Sequence, residues 1–507
     1  MADVPLDYLA PQVPRLRTVL RRVAAVVTVL AVIGVGTVAV HRIVVSCAGV
    51  RSGLIRVDGE CVGTLTDVDR HFFSDDLRSV QAAIARENAW VHEQWQADPE
   101  RNRYVRVALL SPMTATAKSF MSAEQIRHSV QGAYVAQRRA NHTPDFADPR
   151  PLVQLVLANP GSRQTQWRRV VEALERTTDD RHPLVAVIGM GTSITATRDT
   201  AHYLSASDAD LPMVAGVATS DEFRDIPGFV RTSPSNTDYV RALGAYLAEN
   251  PELRTGMLVY DDSEPDLYVR DLRAVYERLL GRYLTVPAKA YFGAADPENR
   301  TQLFSTIQTS VCNTPRPDLI LYAGRALDLD DFVHSLAVRS CRDPISILVG
   351  ATGLGPFADL TPILQQGQIT IINAAGVDPA WFATESPPSG TAPDGLMPFL
   401  TAFRAEEFGE PGALDDGYGP THHDAMATAV MAIRAVTPGL PPDEIPRAGN
   451  VRGQLMNLNN SSYVPGAGGR LTFTTTRMAD PIGRWIPVIS IPPSAAPPAH
   501  RPYVTSG

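Results

Sequence analysis

In Leu184-Val-Ala-Val-Ile-Gly189-Met-Gly-Thr-Ser193-Ile-Thr195, five apolar residues end at a glycine, pass through small and hydroxylated residues, and enter an amphipathic stretch running to Leu204. That is the pattern of a buried parallel strand turning into a helix. The same alternation precedes and follows it. Val105–Leu110 leads to Ala123–Asn141, Leu152–Leu157 to Gln166–Thr177, and Met213–Val217 closes the series. Short apolar strands alternating with helices build a parallel sheet covered on both faces. Beyond Phe229-Val-Arg-Thr-Ser-Pro-Ser-Asn236 the alternation restarts. Strands at Thr255–Tyr260, Ala288–Phe292, Leu319–Tyr322, Ile345–Val349 and Ile369–Asn373 are separated by helices at Leu267–Leu280, Leu303–Ser310, Asp330–Val338 and Pro362–Gln366. Two runs of ordinary domain size predict two similar α/β lobes. Helices at Met397–Glu407 and His423–Thr437 follow, then strands at Gly469–Phe473 and Trp485–Ile491.

The 507 residues are 44% hydrophobic and 20% charged, enough for real cores. The net charge of -8 is spread without a basic block, and Lys118 and Lys289 are the only lysines. A nucleic-acid partner needs a clustered basic face, so that class is excluded.

From Val23 to Val40 the chain is apolar or small apart from Thr28 and Thr37, with Arg15, Arg17, Arg21 and Arg22 in front. About 18 apolar residues span a bilayer, and the basic flank marks the cytoplasmic side. The expectation is an uncleaved single-pass anchor with everything after about residue 45 extracellular. A cleaved secretory signal ending near Ala39 is the rival reading, since the order of regions also fits that. Lipidation at Cys47 is the third. All three export the rest of the chain. Cys47, Cys61, Cys312 and Cys341 lie beyond the apolar run, none in a C-x-x-C pair. Outside the membrane they are read as two local disulfides, and sequence proximity favours Cys47–Cys61 and Cys312–Cys341 among the three connectivities. Residues 46–103 read as an extracellular prelude with a helix over Asp75–Gln96, a spacer or packing arm. Residues 492–507, rich in proline and alanine, read as a disordered tail.

In open parallel sheets ligands bind beyond the carboxyl ends of the strands. Those positions name the candidate ligand-binding residues: Thr114, Ser193, Thr195, Val217 and Thr219 in the first run, and Asp261, Tyr322, Arg325 and Thr352 in the second. Hydroxyls dominate the first group, which suits a polar head group, although Ser193, Thr195 and Thr219 also fit as helix caps. Arg325 either binds an anion or pairs with Asp328, with the pair preferred. Gly189-Met-Gly191 lacks the third glycine of a dinucleotide loop, so no cofactor is expected. His422-His423-Asp424 reads as a helix cap and surface, not a metal site. No Gly-x-Ser-x-Gly elbow, His-Glu-x-x-His or Walker loop occurs, and no catalytic residues are assigned.

Arg106-Val-Ala-Leu-Leu-Ser-Pro-Met-Thr114, Val185-Ala-Val-Ile-Gly-Met-Gly-Thr-Ser193, Leu211-Pro-Met-Val-Ala-Gly-Val-Ala-Thr219, Phe229–Asn236, Leu319–Gly324 and His423–Ala427 stand in an order that resembles the type I periplasmic solute-binding proteins. The branched-chain amino-acid binding branch is the nearest in pattern, and the composite looks like an actinobacterial ABC-transporter substrate-binding protein. The resemblance spans about residues 104–490. It implies two lobes joined by three crossovers, near Ser233, Ala374 and Val451. Lobe 1 would comprise 104–233 and 375–450, and lobe 2 would comprise 234–374 and 451–491, behind a cytoplasmic tail (1–22) and the anchor (23–45). It also implies a ligand's carboxylate and amino group held by Ser193, Thr219 and the backbone near Val217, and an ABC permease as partner in trans. Two departures stand out. The usual Pro-Leu-Thr-Gly is Pro-Met-Thr114-Ala115 here, and the glutamate expected in the second lobe has no counterpart near Thr352. The function expected is capture of a small polar solute with no chemistry. The alternative is an extracellular sensor or scaffold acting through a partner protein.

Overall fold

The computed structural model describes residues 53–65, 73–263, 266–293, 303–355, 360–383, 390–441, 443–493 and 504–506, with Leu20, Val23, Ala24, Val27, Cys47 and Pro387. The tail expected over 1–22 and the anchor expected over 23–45 lie almost wholly outside this set. Among the described residues no helix is long and apolar enough to cross a membrane.

Described residues form three sheets. The first contains β1 (Leu54–Val57), β2 (Glu60–Leu65), β3 (Tyr104–Leu110), β4 (Leu152–Asn159), β5 (Leu184–Thr192), β6 (Met213–Val217) and β7 (Phe229–Arg231), in the order β1-β2-β4-β3-β5-β6-β7. From β4 to β7 every pairing is parallel. β4 and β5 are buried along their whole length, which is why they read as nearly unbroken apolar runs. The second contains β8 (Gly256–Asp261), β9 (Leu284–Tyr291), β10 (Leu319–Ala323), β11 (Ile345–Gly350), β12 (Ile369–Ala374) and β16 (Val488–Ile491), in the order β16-β12-β11-β10-β8-β9. Only β16 runs antiparallel to its neighbour. The small third sheet is antiparallel and joins β13 (Val464–Gly466), β14 (Gly469–Thr472), β15 (Ile482–Ile486) and β17 (Val504–Thr505). Both disulfides pair as proximity favours, Cys47–Cys61 and Cys312–Cys341.

The chain leaves the first sheet after β7, builds the second through β12, and returns with helices Leu396–Ala405 and Tyr418–Val436. The latter packs along helix Ala123–His142 so closely that Gly132 faces the Gly419 backbone. The third crossing is not near Val451. Val451, Leu455, Leu458, Val464, Leu471 and Phe473 all bury in the core of the first lobe. Trp485 still packs there, whereas Ile486 belongs to the core of the second lobe. Pro487 breaks the single strand expected over Trp485–Ile491 into β15 and β16, which enter different sheets. The expected disordered tail is corrected in part: Val504 and Thr505 pair with Ile486 and Trp485, and Ser506 is buried. Residues 494–503 and 507 are not among those described.

The prelude is part of the first lobe. β2 lies antiparallel to β4, with Gly63 opposite Asn159. Helix Arg78–Ala97 lies on the same sheet, fastened by Asn88, whose Nδ2 donates to the Leu155 carbonyl at 2.8 Å while its Oδ1 accepts from the Leu155 amide at 3.0 Å and from Gln137 at 2.8 Å. Deleting that amide leaves buried backbone groups unmatched, so Asn88→Ala is expected to cost about 2 kcal/mol. Urea denaturation reads this as a lowered midpoint at constant slope, and an unchanged midpoint would refute it.

Candidate functional site

The turn after β5 explains its glycines. Gly189, Met190 and Gly191 all have positive φ (85°, 62° and 72°), and the pairing of β5 with β6 shifts register between Gly189 and Thr192. A Cβ on Gly191 would stand 2.0 Å from the Gln164 side chain. Glycine is therefore demanded by a left-handed bulge, not by a phosphate. The bulge delivers Ser193, whose Oγ accepts from the Ser220 amide at 3.0 Å. Thr219 is set by its neighbours. Buried Arg231 donates to the carbonyls of Ala218 (2.8 Å) and Ser220 (2.7 Å), with Asp480 3.0 Å away balancing its charge.

Ser193 and Thr219 face a cleft of about 270 Å³ between the lobes, near the lower end of the roughly 300–1,000 Å³ usual for small-molecule sites. Of the sequence-predicted residues, Ser193, Val217, Thr219, Arg325 and Thr352 line it. The other four do not. The Thr114 hydroxyl donates to Glu60 of β2, whose carboxylate also takes the Ser162 amide (2.7 Å) and hydroxyl (2.6 Å). Thr195 opens helix Thr195–Ala206 outside the cleft. Asp261 accepts from Ser263 and from the Gly293 amide, both at 2.9 Å. Tyr322 is buried in the second lobe, its hydroxyl 2.7 Å from that of Tyr291. Which strand ends face the partner lobe depends on how the sheets are set against each other.

Arg325 forms an ion pair, though not with Asp328. Its Nε and Nη2 donate to Asp266 at 2.6 and 2.8 Å, and its guanidinium lies over the rings of Tyr268 (4.9 Å) and Phe120 (5.3 Å). This fork also bridges the lobes. The Ser193 carbonyl accepts from Arg325 Nη2 at 3.4 Å and from the Tyr268 amide at 3.1 Å. Leu267, at the start of helix Leu267–Leu280, inserts into the core of the first lobe, and the Asp221 amide donates to Asp271 at 2.8 Å.

Tyr268 was missed in the sequence, as were the residues of the opposite wall, Glu124, Asp415, Asp416 and Tyr418, and Asp266, which holds Arg325 from outside the lining. One signal was available. Ser122-Ala-Glu-Gln125 has the spacing of a capping box, and both of its hydrogen bonds are present. Asp416 Oδ1 accepts from the Tyr418 amide at 2.9 Å, while Oδ2 lies 2.7 Å from Nδ1 of buried His128. Asp415 has its carboxyl pushed up to about 6, first by burial and then by Asp416 and Glu124, with His128 pulling the other way.

His422-His423-Asp424 is neither cap nor surface, because its helix begins at Tyr418 and all three residues are fully buried. Among the described residues no group of three or more His, Cys, Asp or Glu side chains is placed to hold a metal ion.

No family model matches the sequence, and no curated protein matches it. Solved structures do resemble the fold. The branched-chain amino acid transporter substrate binding protein LivJ from Streptococcus pneumoniae, in complex with isoleucine, is 13% identical with a TM-score of 0.54, covering 80% of this chain and 100% of that one. The leucine binding protein LivK from Thermotoga maritima is 17% identical with a TM-score of 0.53, covering 76% and 95%. A solute binding protein of an ABC transporter from Rhodopseudomonas palustris, in complex with 3,4-dihydroxybenzoic acid, is 16% identical with a TM-score of 0.53, covering 76% and 92%. With two parallel-sheet lobes, crossings between them after β7, after β12 and between β15 and β16, and a polar cleft at the facing strand ends, this chain has the fold of the type I periplasmic solute-binding proteins.

Proposed function

We propose that this protein is a membrane-tethered extracellular solute receptor that captures a small polar ligand between its lobes and passes it to an ABC permease, with no chemistry of its own. The cleft carries this reading: about 270 Å³ of space, bordered by both lobes and lined by hydroxyls, carboxylates and aromatic rings. Proteins of similar fold hold isoleucine in one case and 3,4-dihydroxybenzoic acid in another, so the architecture accommodates chemically different solutes. Seams such as Tyr268 to Ser193 and Asp221 to Asp271 are contacts that hinge opening would break and ligand-driven closure would restore.

A thermal-shift screen of the full chain against amino acids, amines, sugars and short carboxylic acids tests it. A ligand at about a hundred times its dissociation constant adds roughly 2.7 kcal/mol and raises the midpoint. The combined Ser193→Ala and Thr219→Ala variant is expected to fold yet lose that response. A folded wild type silent to the whole panel would reject solute capture.

A further inference from the structure

We propose that the ligand is a small organic cation, an alkylammonium with a compact apolar body, and that Asp415 receives its charge. This rests on the solute-receptor reading and narrows it to a ligand class.

The first ground is the charge balance of the cleft. Its described lining holds three carboxylates, Glu124, Asp415 and Asp416, and a single cation, Arg325. Arg325 is already neutralised by the two-pronged bond to Asp266, so it offers no free charge to an anionic ligand. Glu124 has Arg127 at 3.0 Å, and Asp416 has His128 at 2.7 Å. The Asp415 carboxylate makes no hydrogen bond or ion pair with the side chain or backbone of another described residue, and the charged groups acting on it are Asp416, Glu124 and His128.

The second ground is independent of charge counting. Helix N-termini border the cleft, and such termini ordinarily receive anions because their first amides lack partners. At three of them the protein supplies those partners, while helix Ala326–Ala337, whose first residues Ala326 and Leu327 also line the cleft, has no side-chain cap. Ser122 and Gln125 close the start of helix Ala123–His142, Asp416 takes the Tyr418 amide, and Asp266 takes the amides of Tyr268 (3.0 Å) and Val269 (3.3 Å). A ligand carboxylate would find these donors engaged, whereas a ligand ammonium finds in Asp415 a carboxylate bonded only to its own backbone among the described residues. Val217, Leu327 and Leu354 give an apolar body something to rest against.

The test is calorimetric titration of the full chain with 3-methylbutylamine, leucinamide, leucine and 4-methylpentanoate, which share an isobutyl group and differ in charge. The two amines lacking a carboxylate are expected to bind at pH 7.5, leucine no tighter than leucinamide, and 4-methylpentanoate not at all. Asp415→Asn should weaken amine binding at least tenfold while leaving the ligand-free thermal midpoint unchanged or higher, and Asp415→Glu should retain part of the affinity. Lowering the pH to 5 should weaken amine binding in the wild type, because the carboxyl that titrates near 6 takes up a proton. Binding of 4-methylpentanoate with silent amines, or an Asp415→Asn variant that folds and binds amines as the wild type does, overturns the proposal. So does silence toward all four probes. In that last case a midpoint raised by a sugar or another neutral solute leaves the receptor reading standing, and a panel with no response removes both.

Discussion

Asp424→Ala is expected to lower stability by about 3–5 kcal/mol, the usual cost of removing one partner from a buried ion pair. Asp424 and Arg484 are both fully buried, with Nη1 2.6 Å from Oδ2. The same carboxylate accepts from the amides of Ala467 (2.6 Å) and Gly468 (3.1 Å) and meets His423 Nδ1 at 2.9 Å. Without it two amides and a guanidinium are stranded away from water, and among the described residues Arg484 keeps only the Gly376 carbonyl, 3.0 Å from Nη2. That carbonyl lies two residues past β12, where the chain crosses back to the first lobe, so the pair also fastens one strand of the hinge. Chemical denaturation at constant slope measures the loss. A change below about 1 kcal/mol would mean that water enters the site and would sink the account.

The second large effect is expected from one methyl group. A Cβ at Gly132 would stand 2.0 Å from the Gly419 carbonyl oxygen and 3.0 Å from its Cα. Backbone, unlike a flexible side chain, has no rotamer into which to retreat, so the two helices must separate. Gly132→Ala therefore should cost about 3 kcal/mol, the upper end of the overpacking range, despite alanine's better helix propensity. Since Gly419 follows Tyr418 and the Asp415–Asp416 wall, the displacement should weaken ligand binding too. Thermal denaturation and calorimetry on one sample check both, and a stabilised variant would show that the helices meet differently.

Much of the architecture was legible because it depends on neighbours in the chain. The apolar run before Gly189 and the amphipathic stretch after it need only local periodicity to be recognised, and strand β5 and helix Thr195–Ala206 follow. The cleft was half legible. Ser193, Val217, Thr219, Arg325 and Thr352 sit where strand ends face the partner lobe, while Asp261 and Tyr322 sit at strand ends that face inward and are consumed by bonds within their own lobe. The prelude was legible as a spacer or packing arm, but not as part of the sheet, because an added antiparallel hairpin leaves no periodic mark of the sheet it joins.

By itself the sequence determined two alternating α/β lobes and the hydroxyl-bearing turn after β5, and favoured the pairing of nearby cysteines, all products of spacing over a few tens of residues. The tertiary structure alone decided that Arg325 pairs with Asp266, 59 residues away, that Asp416 meets His128 across 288, and that β15 and β16 part company at Pro487. Those outcomes depend on how two sheets and their helices are set against each other. A charged side chain once removed from water takes whichever opposite charge that packing places within reach, and no local pattern records which one it will be.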